Sequence, residues 1–137
     1  EMRQAAGKDS RIELITDVED LRPYRKGATI FINPMRLGSG LRVKILEAMG
    51  SGLPVVTTSL GAAGLPAQNG INCFINDTPE GFANAISWLL TDTQLASRIG
   101  ARAKHMTTQQ YNVHASTSQL ERIFSDTINS AQQAKTS

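Results

Sequence analysis

Along the first half of the chain, short β-branched runs alternate with short helical patterns, and from about residue 78 onward the apolar spacing is almost wholly helical. Residues 11–15 (RIELI) alternate apolar and polar positions and predict a strand. Residues 17–25 predict a short helix with Asp17 as its N-cap and Glu19 and Asp20 in its first turn. Residues 28–33 (ATIFIN) are a β-branched and aromatic run stopped by Pro34, the pattern of a buried strand. A helix follows over 41–50, with Gly50 and Gly52 as stop signals. Further strands are expected over 53–58 (LPVVTT), where Pro54 stands at the tolerated first position, and over 72–76 (NCFIN).

Three capped helices are expected in the second half. Residues 77–80 (DTPE) combine a capping box at Asp77 and Glu80 with an early proline, and Phe82, Ala85, Ile86 and Leu89 form one apolar stripe. Thr91, Asp92 and Thr93 open the next helix, with Leu95, Ile99, Ala103 and Met106 facing inward. Asn112 is expected to cap a third, carrying Leu120, Ile123, Phe124 and Ile128. The stretch over 126–137 holds the end of that helix and the ending QQAKTS, which lacks apolar anchors and is expected to fray. Strand–helix–strand alternation implies an α/β fold: a Rossmann-like parallel sheet of about four strands with flanking helices. In such sheets ligands bind outside the carboxyl ends of the strands, which directs attention to the loop over 34–40.

Composition bounds the function. With 137 residues, 40% of them hydrophobic, the chain has enough apolar material for the core of one domain. One Trp, two Tyr and four Phe leave that core to aliphatic side chains. Fourteen basic and 12 acidic residues give a net charge of +2, with no run of like charge, so nucleic acid is not an expected partner. The single cysteine, Cys73, excludes an internal disulfide and a cysteine-based zinc cluster, and reads as a small buried hydrophobe. His105 and His114 read as surface or helix-boundary residues. Trp88 is expected in the core rather than as a sugar platform. No apolar run approaches the ~20 residues of a membrane span, and no signal-peptide pattern opens the chain. The expected location is cytoplasmic, with a peripheral position on the inner membrane face left open for a longer protein. Residue 1 is Glu rather than Met, which points to a piece of something larger.

The chemistry concentrates in residues 34–56 (PMRLGSGLRVKILEAMGSGLPVV). Gly38 and Gly40 flank Ser39 at a helix entry and let backbone approach a ligand, and the unpaired N–H groups there suit a phosphate. At 100° per residue, Leu41, Ile45, Ala48 and Met49 share the face toward the sheet, while Gly40, Lys44 and Glu47 share another. Glu47 lies ~10 Å along the axis from Gly40, and its side chain leans back toward the N-terminus. A phosphate at the glycines therefore leaves Glu47 placed for ribose hydroxyls, with Lys44 between them as a counter-charge. A P-loop would need a Gly-Lys-Ser/Thr triplet, and a dinucleotide fingerprint a third glycine where Val43 stands. The bare pieces have simpler readings: Gly-Ser-Gly as a turn, and Lys44 and Glu47 as an exposed i, i+3 pair. Arg42 is open to either a sheet-edge contact or reach toward phosphate. Gly61 and Gly64 either permit tight turns or line the ligand site.

The full string, continued by Thr57, Thr58, Gly61 and Gly64 and preceded by DVEDLRPY over 17–24, resembles the C-terminal, donor-binding domain of retaining GT-B glycosyltransferases of the large family-four group. The resemblance covers roughly residues 11–125. It implies one partial nucleotide-sugar-binding domain over 1–137, its sheet missing earlier strands. It implies that Glu47 binds ribose hydroxyls and that amides around Gly38, Ser39, Gly40 and Leu41 hold the diphosphate and donor sugar. Lys44 and Arg42 would supply counter-charge, and Gly61 would line the loop. The substrate implied is a UDP- or GDP-sugar, whose hexosyl group passes with retention to a glycan or lipid-linked acceptor, with no cofactor and no metal. Two features depart from the family pattern. Ser39 stands where the first glutamate of the Glu-x7-Glu motif belongs, and the segments bearing an Arg and a Lys that clamp the diphosphate precede anything in this chain. The acceptor-binding domain is missing as well, so the chain alone is expected to be inactive. It is also expected to self-associate through an uncovered sheet edge. The competing reading is a free-standing, non-catalytic nucleotide-binding or interaction module.

Overall fold

Two β-branched residues in succession, Val55 and Val56, present one side chain to each face of any strand that carries them. Burying both requires cover on both faces, as in a parallel sheet between helices. The computed structural model, which describes residues 7–38 and 42–111, has that form. In chain order its elements are α1 (Arg22–Gly27), β1 (Phe31–Asn33), α2 (Val43–Gly50), β2 (Val55–Thr57), α3 (Ser59–Ala62), β3 (Phe74–Ile75), α4 (Pro79–Thr91) and α5 (Thr93–Gln110). The sheet order is β1-β2-β3, all parallel. Phe31 pairs with Val55 and Val56 with Phe74. The ladder extends beyond the strands where Phe31 N–H donates to the Pro54 carbonyl and Asn76 N–H to that of Thr57, each at 2.9 Å.

Central strand β2 is buried along its whole length. Val55 packs with Ile45, Ala48 and Met49 of α2, and with Leu53, Cys73 and Ala103. Val56 faces the other way, against Ala85 and Leu89 of α4 and Ile99 of α5. Helix α5 thus serves both clusters. Burial pushes the Cys73 thiol up to about 11, which leaves it an unreactive apolar group just ahead of β3. Helix α2 closes in a Schellman motif: Gly52, at φ 81°, donates its N–H to the Met49 carbonyl, and Leu53 donates to that of Ala48. The Gly52 carbonyl lies so close to Gly100 of α5 that a Cβ there would collide with it. Glycine within α5 lowers its intrinsic helicity by about 1 kcal/mol, and the flush contact between the two helices is what requires it.

Several expectations need correction. Residues 11–15 form no strand; Ile12, Leu14 and Ile15 are exposed, and Ile12 N–H turns back to the Asp9 carbonyl. Alternation supplies a face, but a strand also needs a neighbour to take its backbone bonds. The sheet therefore has three strands among the described residues, where about four were expected. The first helix starts at Arg22 rather than Asp17, which adopts φ 57°. Pro23 explains the shift, since it suits a first turn and would break a helix running through it from residue 17. Asp20 accepts the Arg22 N–H at 2.8 Å and prepares that turn. Helix α4 is capped by Thr78, which accepts from Gly81 N–H, and not by Asp77. With Pro79 in the first helical position, Glu80 falls too early to complete a capping box. Trp88 is exposed, its ring tilted against Phe74 at a centroid distance of 6.0 Å, because Ala85 and Leu89 occupy the buried stripe. The expected Asp92 cap on α5 is present, accepting from Leu95 N–H. His105 is exposed on α5 beside Gln109. The proposed helix after Asn112, with His114, lies outside the described residues.

Asp77 instead accepts from the N–H and hydroxyl of Ser59, at 2.8 and 2.6 Å, and so holds the first residue of α3, whose N-cap is Thr58. The Ser59 hydroxyl is the first cause holding its carboxyl below the usual carboxylate range. A carboxylate depressed by folding contributes stability above its unfolded pKa, and loses it as pH falls through the folded value. Replacing Asp77 with Asn is expected to remove a share of the stability lost below about pH 4, read as a shallower acid limb in urea titrations. Gly100→Ala should destabilise the fold by about 1–3 kcal/mol through overpacking against Gly52. Gly27→Ala, with nothing within 4 Å of the added carbon, should be close to neutral in the same denaturation measurement.

Candidate functional site

A parallel sheet brings its strand-to-helix loops to one edge, so the loop after β1 and the turn after β2 lie side by side. The end of β2 supplies two hydroxyls there. Thr57 Oγ1 donates to the Asn33 carbonyl at 3.2 Å, and Thr58 Oγ1 to the Met35 carbonyl at 2.6 Å. Arg42 is buried, and its Nη2 donates to the carbonyls of Gly38 and Leu60, both at 3.3 Å. Of its two open readings, the contact found is with backbone at the root of the loop. Gly38 has φ 126°, in the region that favours glycine. Ser39, Gly40 and Leu41 lie outside the described residues. Gly61 is buried behind the loop, where its N–H donates to Thr58 Oγ1 and a Cβ would strike the Thr57 hydroxyl. A hydroxyl-lined strand end and one buried guanidinium thus hold the loop by its carbonyls.

Lys44 and Glu47 follow on α2, and the structure brings them together. Both line a cleft of about 630 Å³ whose opposite wall is the segment over 15–22, with Arg25 of α1 beside them. The cleft is strongly charged, taking Asp17, Glu19 and Asp20 from that segment along with Arg22. Arg25 Nη1 donates to Glu47 Oε2 at 2.6 Å, its side chain 14% exposed against 45% for that of Glu47. Both partners line the cleft, and the carboxylate is the more exposed of the two. A pair this open to water adds only about 0–1 kcal/mol to stability. Its consequence is geometric: it fixes where the carboxylate points.

Sequence reasoning missed Arg25, Thr57 and Thr58 as members of this site. Nothing in spacing couples residues 25 and 47, which meet only when α1 lies against α2. The two threonines did carry a signal, since hydroxyls closing an otherwise apolar strand need acceptors once buried. Among the described residues no group of three or more His, Cys, Asp or Glu is placed to hold a metal ion. No helix there is long and apolar enough to cross a membrane.

Comparison with known proteins bears on the family and the fold. The family described as glycosyl transferases group 1 matches residues 1–92. A 44.6 kDa protein from the cps region of Klebsiella pneumoniae, itself described as uncharacterized, is 39% identical over 77 residues, covering 55% of this chain and 20% of that protein. Sucrose-phosphate synthase from Thermosynechococcus elongatus superposes on 94% of the chain with a TM-score of 0.75 at 20% identity. The C-terminal domain of a glycosyl transferase group 1 family protein from Francisella tularensis superposes on 80%, with a TM-score of 0.67 at 22% identity. The chain spans 33% of the synthase and 58% of the Francisella domain. At those identities the superpositions establish the fold, and the match over residues 1–92 establishes the kinship. The chain belongs to the glycosyl transferases group 1, with the α/β fold of GT-B glycosyltransferase domains.

Proposed function

We propose that this chain is the nucleotide-sugar-binding part of a retaining glycosyltransferase, which passes a hexosyl group from a UDP- or GDP-sugar to a glycan or lipid-linked acceptor. One observation carries the reading: Lys44 and Glu47 line a single cleft from the helix that follows the glycine loop. The donor's diphosphate lies at the loop around Gly38, Ser39, Gly40 and Leu41, beside the amides that open α2. Lys44 supplies counter-charge, and Arg42 adds its own at the loop's root while holding the backbone. Glu47 accepts hydrogen bonds from the ribose hydroxyls. Gly61, which leaves room for the threonine hydroxyls, supports the loop from behind. During transfer the bond between the sugar's C1 and the diphosphate oxygen breaks, and the oxygen of an acceptor hydroxyl takes that place on the same face while its proton passes to the departing diphosphate. Negative charge grows on the departing diphosphate, so donors fixed beforehand at the loop stabilise the transition state.

The relatives are longer than this chain, which supports an acceptor-binding domain elsewhere in the whole protein, and use of a nucleotide sugar suits a cytoplasmic setting. The outer edge of β1 suits contact with such a neighbour. It is terminal in the sheet order, and Ile32 on it is half exposed. In the isolated chain the same edge favours self-association.

Calorimetric titration with UDP and GDP tests the site: Glu47→Ala should weaken the better ligand about tenfold or more, the usual worth of hydrogen bonds to a charged group. Unchanged affinity would remove Glu47 from the ribose role. Incubated with nucleotide sugars and glycan acceptors, the 137-residue chain should show no turnover. Light scattering should find it larger than a monomer, and Ile32→Lys should shift it toward one.

A further inference from the structure

The Arg25–Glu47 pair has a consequence for ligand discrimination. An ionised carboxylate offers about four acceptor positions on two oxygens. Arg25 reaches Oε2 through one nitrogen, Nη1, at 2.6 Å. Oε1 and the outer side of Oε2 therefore remain for hydroxyls in the cleft. The arginine comes from a different element, α1, and is the more buried partner, so it ties the exposed glutamate to a second wall of the cleft. Without that anchor a half-exposed glutamate samples several rotamers, and only some would meet a vicinal diol.

We propose that Arg25 is a positioning residue, which holds the Glu47 carboxylate in the orientation that accepts both ribose hydroxyls and so lets the site tell ribose from deoxyribose. This rests on the ribose role of Glu47 proposed above. Arg25 touches no substrate in this scheme and acts only through the carboxylate. Its planar guanidinium sets direction better than a lysine ammonium would.

The test compares the affinities of UDP and 2′-deoxy-UDP for the 137-residue chain by calorimetry, across four variants whose folding is checked by circular dichroism. The parent chain should prefer UDP about tenfold or more, and Glu47→Ala should abolish that preference. Arg25→Met should reduce the preference several-fold, costing the deoxy ligand, which keeps only its 3′ hydroxyl, less than UDP, and Arg25→Lys should restore part of it. Arg25→Gln, which keeps a donor and drops the charge, serves if Arg25→Met does not fold. In combination with Glu47→Ala, the Arg25 change should have no further effect. A uniform loss for both ligands marks a merely structural arginine and overturns the proposal. So does an unchanged preference in folded Arg25 variants, which leaves the Glu47 reading standing if Glu47→Ala still abolishes the preference. If Glu47→Ala keeps the preference, or the parent chain binds neither nucleotide, both readings fall.

Discussion

A strand with no face toward solvent dictates what surrounds it. Val55 and Val56 are both fully buried, and each needs its own layer of cover. Helix α2 supplies one and α4 the other, while α5 contributes to both through Ala103 and Ile99. The same strand then ends in Thr57 and Thr58, whose hydroxyls hold the carbonyls of the loop leaving β1. Core and site are thus continuous. A shift of β2 along its neighbours would misplace the loop as surely as it would open the core.

Charge in the cleft is arranged on the same frame. The carbonyls of Asn33, Met35 and Gly38 accept from Thr57, Thr58 and Arg42. One turn further along α2, Lys44 and Glu47 carry opposite charges to successive parts of one cleft. A ligand with an anionic end and a hydroxyl-bearing body fits that order. The acidic segment over 17–20 makes the far wall of the cleft the more negative one. Solved structures at 20% and 22% identity keep the fold, as expected when packing tolerates volume-conserving exchange.

Much of the architecture was legible from local pattern. The apolar runs around Phe31, Val55 and Phe74, the Asp92 cap and the stripe through Ile99 and Ala103 all sit where periodicity put them. Where the reading failed, a second local signal or a distant partner decided. Pro23 moved the start of α1, and Pro79 moved the cap of α4 from Asp77 to Thr78. Residues 11–15 had the alternation of a strand without a neighbour to pair with. Of the candidate site, the shared face of Lys44 and Glu47 was readable, because it follows from helix geometry.

The division has a physical basis. The sequence by itself determined what depends on neighbours a few residues apart: which segments can be strand or helix, which face of α2 is apolar, and that Lys44 and Glu47 point the same way. Only the tertiary structure decided what depends on elements meeting across the fold. It set Arg25 on Glu47, Arg42 on the carbonyls of Gly38 and Leu60, and the two threonines on the loop. Those are hydrogen bonds between residues brought together by burial of the apolar faces, and no one-dimensional spacing encodes them.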